Sequence, residues 1–167
     1  MIQAGVLTLS DKGSKGERED VSGSIARKIL EENGFEILLY EIIPDEMALI
    51  KEKLKEWCDT RKLPLIVTTG GTGMSDRDVT PEATGEILDK EIPGLGEAMR
   101  AAGLRHTPYA MLSRGRAGIR GKSLIINLPG NPKAVSENLG AVLSVLRHAI
   151  EKIRGDQNDC ASLRENR

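Results

Sequence analysis

Aromatic side chains make up 2% of this chain, and they are Phe35, Tyr40, Trp57 and Tyr109. So thin a supply cannot form the stacking platform that single-stranded nucleic acid needs. Basic residues do not make up for it. With 24 Lys and Arg against 25 Asp and Glu, the net charge is −1, which leaves no excess to hold a phosphate backbone. Cys58, Cys160, His106 and His148 complete the thiols and imidazoles, with no Cys-x-x-Cys spacing, so a zinc or disulfide framework is not expected. Two unpaired cysteines fit a reducing cytoplasm. No apolar run approaches the roughly 20 residues of a membrane span. The start, Met1-Ile-Gln-Ala-Gly-Val, enters a strand-like run with no basic leader and no cleavage site, so export is not expected.

What is present is 39% hydrophobic and 29% charged residues over 167 positions, the composition and length of one well-packed globular domain. The densest chemistry lies in Leu65-Ile-Val-Thr-Thr-Gly-Gly-Thr-Gly-Met-Ser-Asp-Arg-Asp-Val-Thr-Pro-Glu-Ala-Thr84. Leu65 to Thr68 is a β-branched apolar run of the kind buried on both faces of a parallel sheet. Gly70, Gly71 and Gly73 permit φ > 0, and a loop so freed can turn its N–H groups inward on an anion. Thr80 as N-cap, Pro81 at the first helical position and Glu82 in the first turn restart regular structure as a helix. A lone Gly-Gly-Thr-Gly would be a simple chain reversal. Ser75, Asp76, Arg77 and Asp78 beside it argue otherwise, because a phosphate with a divalent cation would use all of them at the carboxyl end of a strand.

Along the rest of the chain, strands alternate with helices. Ile2 to Leu9 reads as a strand ended by Ser10 and Asp11, and the polar, glycine-punctuated run to Asp20 reads as a loop. Asp20 or Ser22 caps a helix to Asn33, stopped by Gly34. Phe35 to Ile43 is a second strand. A helix from Met47 to about Thr60 follows, with Asp45 as its expected cap and Leu49, Ile50, Leu54 and Trp57 as its buried stripe. The helix begun at Thr80 is expected to reach Lys90, to be broken by Pro93-Gly-Leu-Gly96, and to resume from Glu97 to about Leu104. Leu112 to Ser123 reads as extended with a turn at Gly121-Lys122, Leu124 to Asn127 as a strand, and Asn131-Pro132 as the start of a helix to about Ile153 with Val135, Leu139, Val142 and Leu146 buried. The pattern predicts a three-layer α/β domain over residues 1–154, a mostly parallel sheet with helices on both faces, and a polar, mobile tail over 155–167.

Two near-motifs fail on context. Gly115-Arg-Ala-Gly-Ile-Arg-Gly-Lys-Ser123 has one residue too many for a P-loop and runs into a strand rather than a helix. The central glycines also miss the spacing of a dinucleotide fingerprint.

Taken together, Thr68-Thr-Gly-Gly-Thr-Gly73, Arg77-Asp-Val-Thr-Pro-Glu-Ala83, Pro93-Gly-Leu-Gly-Glu-Ala-Met-Arg100, Leu112-Ser-Arg114 and Asn127-Leu-Pro-Gly-Asn-Pro132, with Pro44-Asp-Glu46, resemble the molybdopterin-binding domain of molybdenum cofactor biosynthesis proteins, the MogA/MoaB type. The resemblance runs in order from about Ile2 to Ile153. It implies a cytoplasmic homotrimer or homohexamer that binds molybdopterin. Catalytic members transfer AMP from ATP to the terminal phosphate of molybdopterin with Mg²⁺, releasing pyrophosphate. The family's catalytic aspartates fall on Asp45 and Asp78, which would also hold the metal. Molybdopterin or nucleotide contacts are expected at Ser10, Asp11, Thr69, Gly70, Gly71, Thr72, Gly73, Ser75, Arg77, Glu82, Ser113, Asn127, Pro129 and Gly130. A molybdate-insertion protein is the implied partner. The chain lacks an insertion that some catalytic members carry after the Pro-Gly turn, which leaves the subtype open, and because some family members do not catalyse, a molybdopterin-binding module without turnover stands as the alternative.

Overall fold

A computed structural model describes residues 1–155 of the chain, so the tail expected over 155–167 lies outside the described residues apart from Gly155. The run Leu65 to Thr69 forms strand β3 and is buried at every position, as its lack of alternation requires. It sits between β1 (Ile2–Leu9) and β6 (Ser123–Leu128), in a six-stranded sheet of order β2-β1-β3-β6-β5-β4, where β2 is Phe35–Ile43, β4 is Lys90–Glu91 and β5 is Ala117–Arg120. Neighbours among β2, β1, β3 and β6 are parallel. The β5–β6 and β4–β5 pairs are antiparallel, so the sheet is mixed, and its antiparallel margin follows from the Gly121-Lys122 turn, where Gly121 takes φ 55°. The connection after β1 leads to β2 on one side, while β3 lies on the other. That reversal opens a crevice outside the carboxyl ends of β1 and β3.

Side chains alternate across β3. Leu65 and Val67 join Ala4, Val6, Leu124 and Ile126 beneath α2 (Val21–Glu32), α5 (Pro93–Leu104) and α6 (Pro132–Arg154). Ile66 joins Leu7, Leu9 and Ile125 beneath α3 (Met47–Lys55) and α4 (Thr80–Ile87). The result is the three-layer arrangement expected. Helix α6 buries Val135, Leu139, Val142 and Leu146 and starts at Asn131, whose Oδ1 accepts from the amides of Lys133 (2.9 Å) and Ala134 (3.2 Å).

Several boundaries differ from expectation. The loop after β1 contains a one-turn helix, α1 (Asp11–Ser14), capped by Ser10 Oγ on the Gly13 amide (2.9 Å). Asp20 caps α2 in the same way. The third helix ends in a π-helical turn over Glu56–Thr60, and Leu49 is 45% exposed rather than part of the buried stripe. Pro93-Gly-Leu-Gly96 is the first turn of α5 and not a break, because proline suits that position. Helix α4 stops at Ile87, and Lys90–Glu91 pairs with β5. A 3₁₀ turn covers Pro108–Leu112.

At the end of β6, Asn127 is 1% exposed. Its Nδ2 donates to the hydroxyls of Thr68 and Thr84, both at 3.0 Å, and its Oδ1 accepts from the Arg116 amide at 3.2 Å. One amide thus ties the central strand to α4 and to the lead into β5. Asn127→Ala should cost about 2–3 kcal/mol, since buried partners are left unpaired. Urea unfolding would measure this, and a loss under about 0.5 kcal/mol would mean that water replaces the amide.

Candidate active site at the carboxyl ends of the central strands

The crevice between β1 and β3 holds a cleft of about 490 Å³, lined by Ser10, Asp45, Thr69, Gly70, Gly71, Asp78 and Gly130 among others. Its floor is the glycine turn. Gly70 has φ 98° and Gly71 φ 65°, and a Cβ on Gly71 would stand 2.2 Å from Thr80 Oγ1 and 3.1 Å from Asp45 Oδ1. Thr80 holds this turn rather than capping α4: its hydroxyl donates to the Gly70 carbonyl (3.0 Å) and its amide to the Gly71 carbonyl (3.1 Å). The cap position belongs to Val79, with Thr80 and Pro81 already inside the helix. The Gly70 amide donates to the Leu128 carbonyl (3.2 Å), so it is not available to an anion.

Asp45 also departs from its expected capping role. Glu46 precedes α3 and makes no side-chain cap bond. Asp45 instead exchanges hydrogen bonds with Asp11: each backbone amide donates to the other's carboxylate, both at 3.0 Å. Burial pushes the Asp45 carboxyl above its usual range; the Asp11 amide opposes the shift, and the charges of Asp11 and Asp78 add to it. Asp11 moves the other way, because Arg77 grips it through Nε (3.0 Å) and Nη2 (2.8 Å), while the same Nη2 reaches Glu46 at 3.0 Å. Asp78 faces the cleft with its Oδ2 accepting from the amide (2.8 Å) and hydroxyl (2.7 Å) of Ser75.

The remaining expected contacts divide. Thr69 Oγ1 donates to the Pro129 carbonyl (2.8 Å), and Gly130 packs so closely that a Cβ there would lie 3.3 Å from Gly70 Cα. Ser113 and Pro129 line a second cavity of about 430 Å³ with Gly103, His106 and Tyr109, and Asn131 borders both spaces. Thr72 is buried, and its carbonyl accepts from the Arg114 amide (3.0 Å). Gly73 presents its carbonyl to the Arg114 side chain, and Glu82 is ion-paired with the same guanidinium. Asn127 lines neither space, and its amide is bonded to Thr68 and Thr84.

Thr8, Arg18, Asp20 and Ser22 also line the cleft and were not singled out as contacts from the sequence. Thr8 and Tyr40 donate to Asp20 Oδ2, and burial together with that carboxylate pushes the Tyr40 phenol up to about 12. Asp20 had signalled its helix cap, which masked its place on the cleft wall. Ser22 Oγ donates to the Gly130 carbonyl (2.7 Å), and exposed Arg18 lines the cleft with no ion pair among the described residues. Among those residues, no group of three or more His, Cys, Asp or Glu side chains could enclose a metal. None of their helices is long and apolar enough to cross a membrane.

Residues 5–148 match the family model described as a probable molybdopterin binding domain. A molybdopterin adenylyltransferase of Helicobacter pylori is 48% identical over 158 residues, spanning 93% of this chain and 89% of that protein. The crystal structure of the molybdopterin biosynthesis enzyme MoaB from Thermus thermophilus superposes with a TM-score of 0.88 at 53% identity, covering 93% of this chain and 98% of the other. A solved MogA structure gives 0.86 at 39% identity, with 90% and 99% covered.

The electrostatics of Asp45 carry a stability consequence. Its folded-state pKa lies above the ordinary 3.8, so the unfavourable charge is absent below that value and fully present above the raised one. Stability from this group therefore falls as pH rises through the interval. Asp45→Asn keeps an acceptor for the Asp11 amide and should raise the melting temperature near neutral pH, by about 2–4 °C for each 1 kcal/mol relieved. The gain should vanish below the usual carboxylate range. Calorimetric melts at both pH values would check this, and a variant no more stable than its parent near neutrality would refute it.

Proposed function

The chain belongs to the molybdopterin-binding domain family of molybdenum cofactor biosynthesis, and from that premise we propose that it is a molybdopterin adenylyltransferase. In this reaction a terminal phosphate oxygen of molybdopterin attacks the α-phosphorus of ATP. One P–O bond forms, the bond to the bridging oxygen breaks, and pyrophosphate leaves with the electron pair. The nucleophile is already an anion. No side chain has to act as a base, and the task of the site is to bring anions together and offset their charge.

The observation that carries the reading is Asp45, released from helix capping and fixed by Asp11 so that its charge stands near that of Asp78 in a half-buried place. A turn with no further task would not gather these charges. Two carboxylates beside a cleft of about 490 Å³ suit a Mg²⁺ ion that takes its other ligands from substrate phosphates. Bound there, the ion would supply charge neutralisation to the phosphates. Asp45 and Asp78 would hold it. Ser10, Thr69 and the amides beyond Gly70 would face the ATP phosphates, while Asp11 and Arg77 fix the rim. Ser113, Pro129 and Asn131 would border the pterin in the adjoining cavity. A binding module without turnover would have no need of the crowded aspartates.

Such an enzyme would work in the cytoplasm, where a molybdate-insertion protein would take its adenylated product. A trimer or dimer of trimers would cover Leu104, Tyr109, Met111 and Leu112, which are 41–77% exposed around one corner of α5 and the 3₁₀ turn. Ile119 on β5 is half-buried and paired with Leu124, so it lies outside this exposed patch. Sedimentation equilibrium should give a trimer or hexamer at micromolar concentration, and a monomer would remove this part of the proposal.

Purified protein given molybdopterin, ATP and Mg²⁺ should release pyrophosphate; bound pterin without release would instead identify a binding module. Asp78→Asn should slow single-turnover adenylylation by about 10²–10³ while retaining molybdopterin binding, the loss typical of one electrostatic contact. A rate within about threefold of the parent would take Asp78 out of catalysis.

A further inference from the structure

We infer that Arg114 is a positioning residue for the adenylyl transfer, acting through Asp78, a statement that rests on the role proposed for that aspartate. Asp78 lies in the irregular segment between β3 and α4, held on its rim side by Arg77, which reaches Asp11 and Glu46. Within the segment, the Asp78 amide donates to the Ser75 carbonyl (2.9 Å) and Ser75 holds the Asp78 carboxylate. Those bonds fold the loop on itself. They do not fix it to the sheet.

Arg114 does. Its Nε donates to the Gly73 carbonyl at 2.7 Å and its Nη2 to the Asp78 carbonyl at 2.6 Å, so one planar guanidinium bridges the two ends of the loop. Its Nη1 meets the Glu82 carboxylate in the first turn of α4, and its backbone amide donates to the Thr72 carbonyl at 3.0 Å. The side-chain partners lie 32 to 41 residues away in sequence, which makes Arg114 a long-range clasp between the lead into β5 and the catalytic loop. Glu82 and Arg114 are 45% and 38% exposed, so their ion pair adds little stability by itself. What the pair supplies is aim: the carboxylate turns the fork so that its other two arms meet the carbonyls. A lysine keeps the charge but, as a point donor, cannot span all three acceptors.

Arg114→Lys should therefore fold and melt near the parent, yet lower kcat by about 10- to 100-fold, the loss expected when a reacting group is misplaced by up to 1 Å. KM for ATP should stay within about threefold, because the glycine turn is still held by Thr80. In an Asp78→Asn background the same change should add less than about twofold, since two residues acting as one unit are not additive. Millimolar guanidinium should restore part of the kcat lost by Arg114→Ala. Parental kcat in Arg114→Lys, or full additivity of the two losses with Asp78→Asn itself slow, would overturn the inference alone. A silent Asp78→Asn would instead overturn the role given to Asp78, and the positioning role with it.

Discussion

Thr80 takes the carbonyls of both Gly70 and Gly71, one through its hydroxyl and one through its amide, and the geometry of the site depends on that pair of bonds. A strand end normally passes into a helix through a loop with some freedom of angle. Here the two left-handed glycines bring the turn back until α4 grips it, so β3, the turn and the helix behave as one rigid piece. Gly130 closes the piece from the side of β6 and Leu9 from the side of β1. The cleft is the space left over when these contacts are satisfied.

Into that rigid frame the chain places charges that oppose its own stability. Asp45 is held near Asp11 and Asp78 and partly removed from water, with Arg77 spent at the rim rather than inside. Residues selected for folding alone would separate these groups or pair them fully. Their crowding in one half-buried place is a local cost to the fold.

Much of this was legible in the chain itself. The Gly-Gly-Thr-Gly loop, the Asn131-Pro132 helix start and the buried stripe of α6 are local patterns, and each was found where its chemistry put it. What was misread has partners far off in sequence. Pro44-Asp-Glu46 looks like a helix cap because the competing donor for the Asp45 carboxylate, the Asp11 amide, lies 34 residues earlier. Thr80 looks like a cap because nothing nearby shows that Gly70, ten residues back, will take its hydroxyl. Nor does the sequence around Asn127 show that Thr68 and Thr84, 59 and 43 residues away, take up its amide. Proline and glycine at 93–96 misled for another reason. The same pair serves to end one helix or to begin the next, and neighbouring residues do not decide between them.

The two margins of the sheet have a bearing on solubility during folding. One margin is β4, two residues long with opposite charges on Lys90 and Glu91. The other is β2, which carries Glu36 and Glu41, the latter ion-paired with Lys53 at 3.0 Å. Short length and inserted charge are the usual safeguards against a foreign strand adding to an open edge. A parallel core such as β2-β1-β3-β6 is slow to assemble, because its pairings are distant in sequence. During that delay the guarded margins steer partly folded chains away from edge-to-edge association.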